Sequence, residues 1–335
     1  MKNTQTTSRE EWLDFAETLR GGTLNTAGQG LQTVAAELQR PECVLTHSSG
    51  RIFVSDRRGG VTSIWPDGRQ QLIGQSTLLP KGIAMERDGS FLIANLGPDG
   101  GVWRIAPNGQ ESPWMTEVDG QGIDRVNFVS NDAEGRVWAC ISATDGGDKY
   151  PLRSASGSII LRDASGTRVV ADGLHYTNEC RVSADGQFMY VNETFGRRLS
   201  RFRIADNGEL KDRETMATFG DGDFPDGLTL DAEGGAWVVC VGSNRVYRIA
   251  PDGEKQTIID DAVTATAAQL EAAFDAGTLD RTQLSAARGH RLSNVTSLAF
   301  GGPDLRTAYM GCLAGSSLVS FRTPVAGLAP VHWNW

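Results

Sequence analysis

The chain predicts an all-β fold, a six-bladed β-propeller, and three observations predict it. First, one pattern recurs: an alternating apolar strand, a Gly-bearing turn and a second alternating strand, which is how a β-hairpin reads. DFPDGLTLDAEGGAWVVC from Asp223 is the clearest copy. PECVLTHSSGRIFVSD from Pro41, PKGIAMERDGSFLIAN from Pro80, VNFVSNDAEGRVWACIS from Val126, TNECRVSADGQFMYVNE from Thr177 and VTSLAFGGPDLRTAYMG from Val295 repeat it. Second, the residues that open each first strand are Glu42, Gly82, Asn127, Asn178, Asp226 and Thr296, separated by 40, 45, 51, 48 and 70 residues. A repeat of about 40–50 residues made only of short strands is a blade spacing. Third, a second series of turns, PDG at Pro66, PNG at Pro107, DNG at Asp206 and PDG at Pro251, falls where a blade's outer hairpin reverses. Asn-Gly and Asp-Gly supply the positive φ angles that such turns need.

All-β rings can run long as one domain, so residues 1–335 are expected to form a single propeller able to bury a large core. The net charge of −9 and a pI near 5.1 argue against a nucleic-acid surface, which needs clustered Lys and Arg. The opening MKNTQTTSREEW has no apolar core, and no run is long enough to span a bilayer, so neither a signal peptide nor a membrane partner is expected. Cys43, Cys140, Cys180, Cys240 and Cys312 fall within expected strands, without CxxC spacing and in odd number. They read as buried free thiols, which points to a reducing, cytoplasmic setting.

Taken in order, residues 8–20 place Trp12, Phe15, Ala16 and Leu19 on one helical face, and Ser8 with Glu11 forms a capping box. The helix is expected against the outside of the ring. Residues 21–30 read as a Gly-rich loop. A strand within 31–38 is expected to complete the last blade beside residues 317–322, because closure removes the edges that would otherwise pair with other chains. The segment SATDGGDKYPLRSAS from Ser142 is longer than a turn and reads equally as a lid over the channel or a plain surface loop. Residues 261–290 switch to an Ala- and Leu-rich helical pattern, with Leu270 and Phe274 on an apolar face and a second helix from Thr282 through Leu284 to Arg288. This helical insertion between blades five and six could wall the pocket or form an oligomer contact.

In a propeller the first strand of each blade lines the central channel, so the aligned residues converge. Glu42, Asn127, Asn178 and Asp226 are oxygen donors at one height, with Gly82 and Thr296 completing the circle. Carboxylate and amide oxygens without His or Cys suit a hard divalent cation, Ca²⁺ foremost, with Mg²⁺, Mn²⁺ or Zn²⁺ as alternatives. Taken singly, each of these residues is an ordinary turn former before a strand. Four at the same register favour a metal site.

These words also carry a resemblance. PEC with Glu42, RVN with Arg125 and Asn127, TNECRVSADGQFMYV with Asn178, FPDGLTLDAEGGAWV with Asp226, and FGGPDLRTAY from Phe300 resemble, in order and spacing, the SMP-30/gluconolactonase (regucalcin-like) family. The resemblance implies a divalent metal held at Glu42, Asn178 and Asp226. It also implies a residue at Asn127 that reaches metal or substrate, an Arg125 that contacts substrate, and hydrolysis of lactones or related esters. The chain departs from the family pattern in Asn178-Glu179, where Asn-Gly is common, and in Arg125-Val126-Asn127-Phe128-Val129, where Arg-x-Asn-Asp-Gly is common. Lys81 stands where related calcium lactonases and arylesterases tend to place His. Phe128 suggests a substrate less polar than a simple sugar lactone.

A bound cation with open positions polarises an ester carbonyl and acidifies water. Asp226 is the candidate general base and Glu42 mainly a ligand, or the reverse. Arg125 is placed to hold the developing oxyanion. His175, three residues before Asn178, could shuttle a proton. Lys81 could act as a base with a pKa lowered by desolvation, or contact a substrate carboxylate. No phosphate-binding glycine loop and no GxSxG elbow occurs. Two rival readings stand beside the lactonase: an arylesterase or phosphotriesterase on the same scaffold, and a non-catalytic calcium-binding propeller.

Overall fold

The computed structural model describes residues 7–19, 30–75, 77–143, 150 and 152–335. Six four-stranded antiparallel sheets follow one another around a ring. Blade one is Val44–Thr46, Ile52–Asp56, Gly60–Ile64 and Gln70–Gly74. Blade two is Pro80–Met85, Phe91–Asn95, Val102–Ile105 and Glu111–Met115. Blade three is Val126–Asn131, Val137–Ile141, Gly157–Asp163 and Gly166–Leu174, and blade four is Thr177–Val182, Phe188–Glu193, Arg198–Ile204 and Leu210–Thr218. Blade five is Phe224–Leu230, Ala236–Val241, Arg245–Ile249 and Lys255–Asp260. Blade six takes Val295–Gly301, Thr307–Cys312 and Leu318–Arg322 from the end of the chain, and Gln32–Val34 from near its start.

That borrowed strand closes the ring, pairing Gln32 with Ser320, Thr33 with Val319 and Val34 with Leu318. The core runs between the blades, because each inner sheet face is apolar and must bury itself on its neighbour. The outer turns behave as their sequences require: Gly68 and Gly253 sit at φ of 85° and 91°. Inner turns carry a further device. Asp132 accepts from the Trp138 indole at 2.8 Å and Asp231 from the Trp237 indole at 2.9 Å, so each turn carboxylate anchors a fully buried ring from its own hairpin. All five cysteines are buried and free.

The first helix, Arg9–Leu19, begins on the expected box: the Ser8 amide donates to Glu11 Oε2 at 2.7 Å and the Glu11 amide to Ser8 Oγ at 3.3 Å. Its face meets blades five and six, with Trp12 edge-on to Trp237 at 5.8 Å and Phe15 stacked near Phe321 at 6.3 Å. The insertion forms two helices, Thr264–Asp275 and Arg281–Ala286. The second starts one residue earlier than Thr282, because Asp280 caps it in a reciprocal box with Gln283. Residues 20–29, and residues 144–149 and 151 of the loop after Ser142, lie outside the described residues. No described helix is long and apolar enough to cross a membrane.

Beyond the last blade the chain turns across the face where the inner strands end. Leu328 donates its amide to the Leu230 carbonyl at 2.9 Å, His332 Nε2 donates to the Thr46 carbonyl at 3.1 Å, and His47 Nε2 donates to the Trp335 carbonyl at 2.9 Å. The terminal segment thus lies over the end of the channel opposite Glu42 and Asp226.

Blade four is pinned by a buried carboxylate. Glu193 accepts from Arg198 Nε at 2.9 Å, Arg198 Nη2 at 2.8 Å, Ser200 Oγ at 2.5 Å and the His175 amide at 2.9 Å. Burial opposes its ionisation, but Arg198 and these donors outweigh burial and hold its pKa at about 2. A carboxylate held low in the folded state contributes stability that is complete above its unfolded pKa and is lost as pH falls through the folded value. Glu193→Gln is therefore expected to cost about 3 kcal/mol at neutral pH, as for a broken buried pair. The melting temperature of the parent, followed by circular dichroism, should fall toward that of the variant as pH drops from neutral into the range below about 4.3. A variant that melts like the parent at neutral pH would exclude this role.

Candidate metal and substrate site

The inner strands share an irregularity at one height. Their pairing slips between Pro80 and Ile83, Val126 and Phe128, Thr177 and Cys180, Pro225 and Leu228, and Val295 and Ser297. A slip of this kind leaves unpaired residues on one strand and re-aims their side chains. The residues so released are Lys81 with Gly82, Asn127, Asn178 with Glu179, Asp226 with Gly227, and Thr296. In blade one Glu42 lies just ahead of the strand Val44–Thr46. The two glycines are steric requirements: a Cβ on Gly82 would lie 2.7 Å from Phe128 Cα, and one on Gly227 2.4 Å from the Thr296 carbonyl oxygen.

Glu42, Lys81, Arg125, Asn127, Asn178 and Asp226 line one cavity of about 850 Å³ at the head of the channel. Thr296 does not reach it; its hydroxyl donates to the Glu42 carbonyl at 2.9 Å and so positions that residue. Both amides are anchored from behind. Asn127 Nδ2 donates to Ser142 Oγ at 2.6 Å, and Asn178 Nδ2 to Thr194 Oγ1 at 2.9 Å. Their buried Oδ1 atoms have no hydrogen-bond partner among the described residues. Buried acceptors without donors are costly, so an electropositive occupant is favoured there.

The carboxylates face cations instead. Lys81 Nζ lies 2.5 Å from Glu42 Oε1 and 3.4 Å from Asp226 Oδ1, and Arg40 Nε lies 3.0 Å from Glu42 Oε2. Burial opposes the charge on Glu42, yet Arg40 and Lys81 outweigh it and hold the carboxyl below its ordinary range. Burial, with the charge of Glu42 added, pushes Asp226 up to about 6 in spite of Lys81. Burial alone would lower Lys81, but Asp226 and Glu42 together raise it above its ordinary value. The direction is opposite to the lowered pKa expected for Lys81, because two acids from other blades hold its proton on.

Two carboxylates and two unpaired amide oxygens form a hard-oxygen set that fits a divalent cation. Among the described residues no three His, Cys, Asp or Glu side chains cluster, so amides must complete any such shell. Lys81 holds the position between the acids that such an ion would share or take over.

His175 is not part of this cavity. Its amide is tied to Glu193, and Arg198 Nη2 lies 3.4 Å from its Nδ1. Partial burial, reinforced by Arg198, lowers its pKa and favours the neutral ring. The turn at Tyr176, with φ of 62°, separates it from Asn178. Phe128 also faces elsewhere: Arg181 stacks on its ring at 4.5 Å, and both line a separate cavity of about 240 Å³. The suggestion of a less polar substrate therefore loses its basis.

The aromatic wall of the site escaped the sequence reading, whereas the helical insertion forms a wall in line with one of the two roles expected for it. Tyr150, Tyr176 and Phe195 form one wall, with ring centroids 4.6–5.6 Å apart. Arg281, Thr282, Leu284 and Ser285 of the second insertion helix form another, followed by Arg288. Glu179, released by the same slip as Asn178, turns instead to the Leu228 amide at 3.1 Å, and burial pushes it up to about 7.

Residues 40–284 match the family model described as SMP-30/gluconolactonase/LRE-like region. A 6-deoxy-6-sulfogluconolactonase of Pseudomonas putida is 27% identical over 231 residues, 68% of this chain and 66% of the relative. The chain thus spans just under two thirds of that relative's length. A pentonolactonase of Haloferax volcanii is 26% identical over 237 residues, 70% of this chain and 67% of the relative. Among solved structures, a gluconolactonase from Xanthomonas campestris superposes with a TM-score of 0.67 at 19% identity, covering 89% of this chain and 91% of its own. A calcium-binding regucalcin from Agrobacterium tumefaciens gives 0.67 at 18% identity, covering 90% and 97%. These last two likenesses are of fold.

Lys81→Met should leave Asp226 without its counter-charge, lowering the melting temperature of the metal-free protein and strengthening Ca²⁺ binding about tenfold by calorimetry. Unchanged or weaker Ca²⁺ binding would mean that the ammonium does not compete for the acids.

Proposed function

Since this chain belongs to the SMP-30/gluconolactonase/LRE-like family, we propose that it is a divalent-metal-dependent lactonase that opens a cyclic ester with water. The observation that carries this reading is the meeting, in one cavity, of two carboxylates with two buried and unpaired amide oxygens. The names of the lactonase relatives support the reaction class, and the calcium-binding structural neighbour supports the choice of Ca²⁺.

Glu42, Asn127, Asn178 and Asp226 would hold the ion. When bound, it supplies Lewis-acid polarisation of the ester carbonyl and acidification of water. Asp226 accepts the proton of the attacking water and returns it to the ring oxygen as the acyl C–O bond breaks, so the product is the hydroxy acid. Glu42 is held in place by Arg40 and by the Thr296 hydroxyl on its carbonyl, which suits it to binding rather than proton transfer. Arg125, on the cavity wall, balances the negative charge that develops on the carbonyl oxygen. The aromatic wall of Tyr150, Tyr176 and Phe195 excludes water from one side of the ring.

Asp226→Ala and Glu42→Ala are each expected to lower kcat/KM on γ- and δ-lactones by at least about 100-fold. Chelation should abolish turnover and Ca²⁺ restore it. Near-native turnover in either variant, or in chelator, would exclude the mechanism. Turnover confined to aryl esters or phosphotriesters would reassign the substrate, and metal binding without turnover would make the chain a binding protein.

A further inference from the structure

The whole molecule is acidic, with a net charge of −9, but this cavity is not. Among the described lining residues, six side chains are cationic, Arg40, Arg57, Lys81, Arg125, Arg281 and Arg288, against the two carboxylates of Glu42 and Asp226. Arg40 and Lys81 are spent on those carboxylates at the cavity floor. A bound divalent cation would add to the excess. The positive charge is therefore larger than the site's own acids require.

Arg57, Arg281 and Arg288 stand toward the mouth. Arg57 and Arg288 are exposed and Arg281 is half-buried, and none of the three forms an ion pair with a carboxylate among the described residues. Arg281 lies over the Tyr150 ring at 4.7 Å, which fixes its plane without using its N–H groups. Arg288 gives only Nη1 to the Ala286 and Ala287 carbonyls, at 3.3 and 3.2 Å. A guanidinium carries five donors in a fork suited to carboxylate, phosphate and sulfonate oxygens. A cleft of one charge sign with apolar walls concentrates ligands of the opposite sign. Two of these arginines come from the helical insertion, the segment that departs furthest from the blade repeat.

We infer that the substrate carries an anionic group besides the lactone ring, and that Arg57, Arg281 and Arg288 at the mouth receive it. This rests on the lactonase reading above and names its substrate class.

The γ-lactones of gluconic and glucaric acid test it, since they differ only in a hydroxymethyl against a carboxylate. The carboxylate-bearing lactone should have the higher kcat/KM, and this preference should shrink with added salt. The Arg281→Gln/Arg288→Gln double variant should reduce the preference about tenfold, chiefly through KM. Arg57→Gln, at an exposed position, gives a second reading if the double variant folds poorly. Calorimetry with the open-chain gluconate and glucarate needs no turnover: the dianion should bind more tightly, and lose that advantage in the variants. Equal kcat/KM for the two lactones, or an unchanged preference in the variants, would overturn the inference while leaving the lactonase reading intact. Dianion selectivity without hydrolysis of either lactone would sink the lactonase reading, and with it the inference that an anionic lactone is the substrate. Absence of selectivity in calorimetry as well as in turnover would remove it altogether.

Discussion

The site depends on a slip of hydrogen-bond register repeated at the head of the inner strands. A regular strand would send alternate side chains into the two flanking blades, and none along the axis of the ring. The slip at Val126/Phe128, Thr177/Cys180 and Pro225/Leu228 frees Asn127, Asn178 and Asp226 from that alternation. Residues nearly a hundred positions apart then share one cavity floor. The same constraint fixes the glycines, since Gly82 and Gly227 are the points where a released backbone presses on the next blade.

Charge balance is the second constraint. Two buried carboxylates close enough to share Lys81 cannot both ionise cheaply without compensation, and their pKa values are pushed apart. Glu42, with Arg40 and Lys81 on its two oxygens, is the firmly ionised partner. Asp226, buried and 3.4 Å from the ammonium, is the easier of the two to protonate. The asymmetry comes from which cations each acid meets, and not from the two residue types.

The blade count, the closing strand and the first helix were legible because each rests on a local pattern: alternation, turn chemistry and a capping box. The convergence of Glu42, Asn127, Asn178 and Asp226 followed from the repeat alone. The state of Lys81 was not legible, because its sign depends on two acids contributed by other blades. His175 misled because nearness in sequence to Asn178 ignores the left-handed turn at Tyr176 between them. Phe128 misled because the slip at Asn127 changes which face the next residue takes. The sequence left the insertion as either a pocket wall or an oligomer contact, because nothing local fixes which face of the ring residues 281–288 fold over.

The strand pairing of Gln32 with Ser320 has a consequence for how the molecule is made. The third strand of the last blade has no partner on its outer side until a segment synthesised nearly three hundred residues earlier returns to it. Until residues 318–322 have emerged from the ribosome, the ring is an open arc with unsatisfied backbone at both ends. Non-local closure of this kind is slow relative to hairpin formation within a blade. The nascent arc is therefore the form most exposed to pairing with a neighbouring chain, and the three residues that end this exposure lie far from the chemistry.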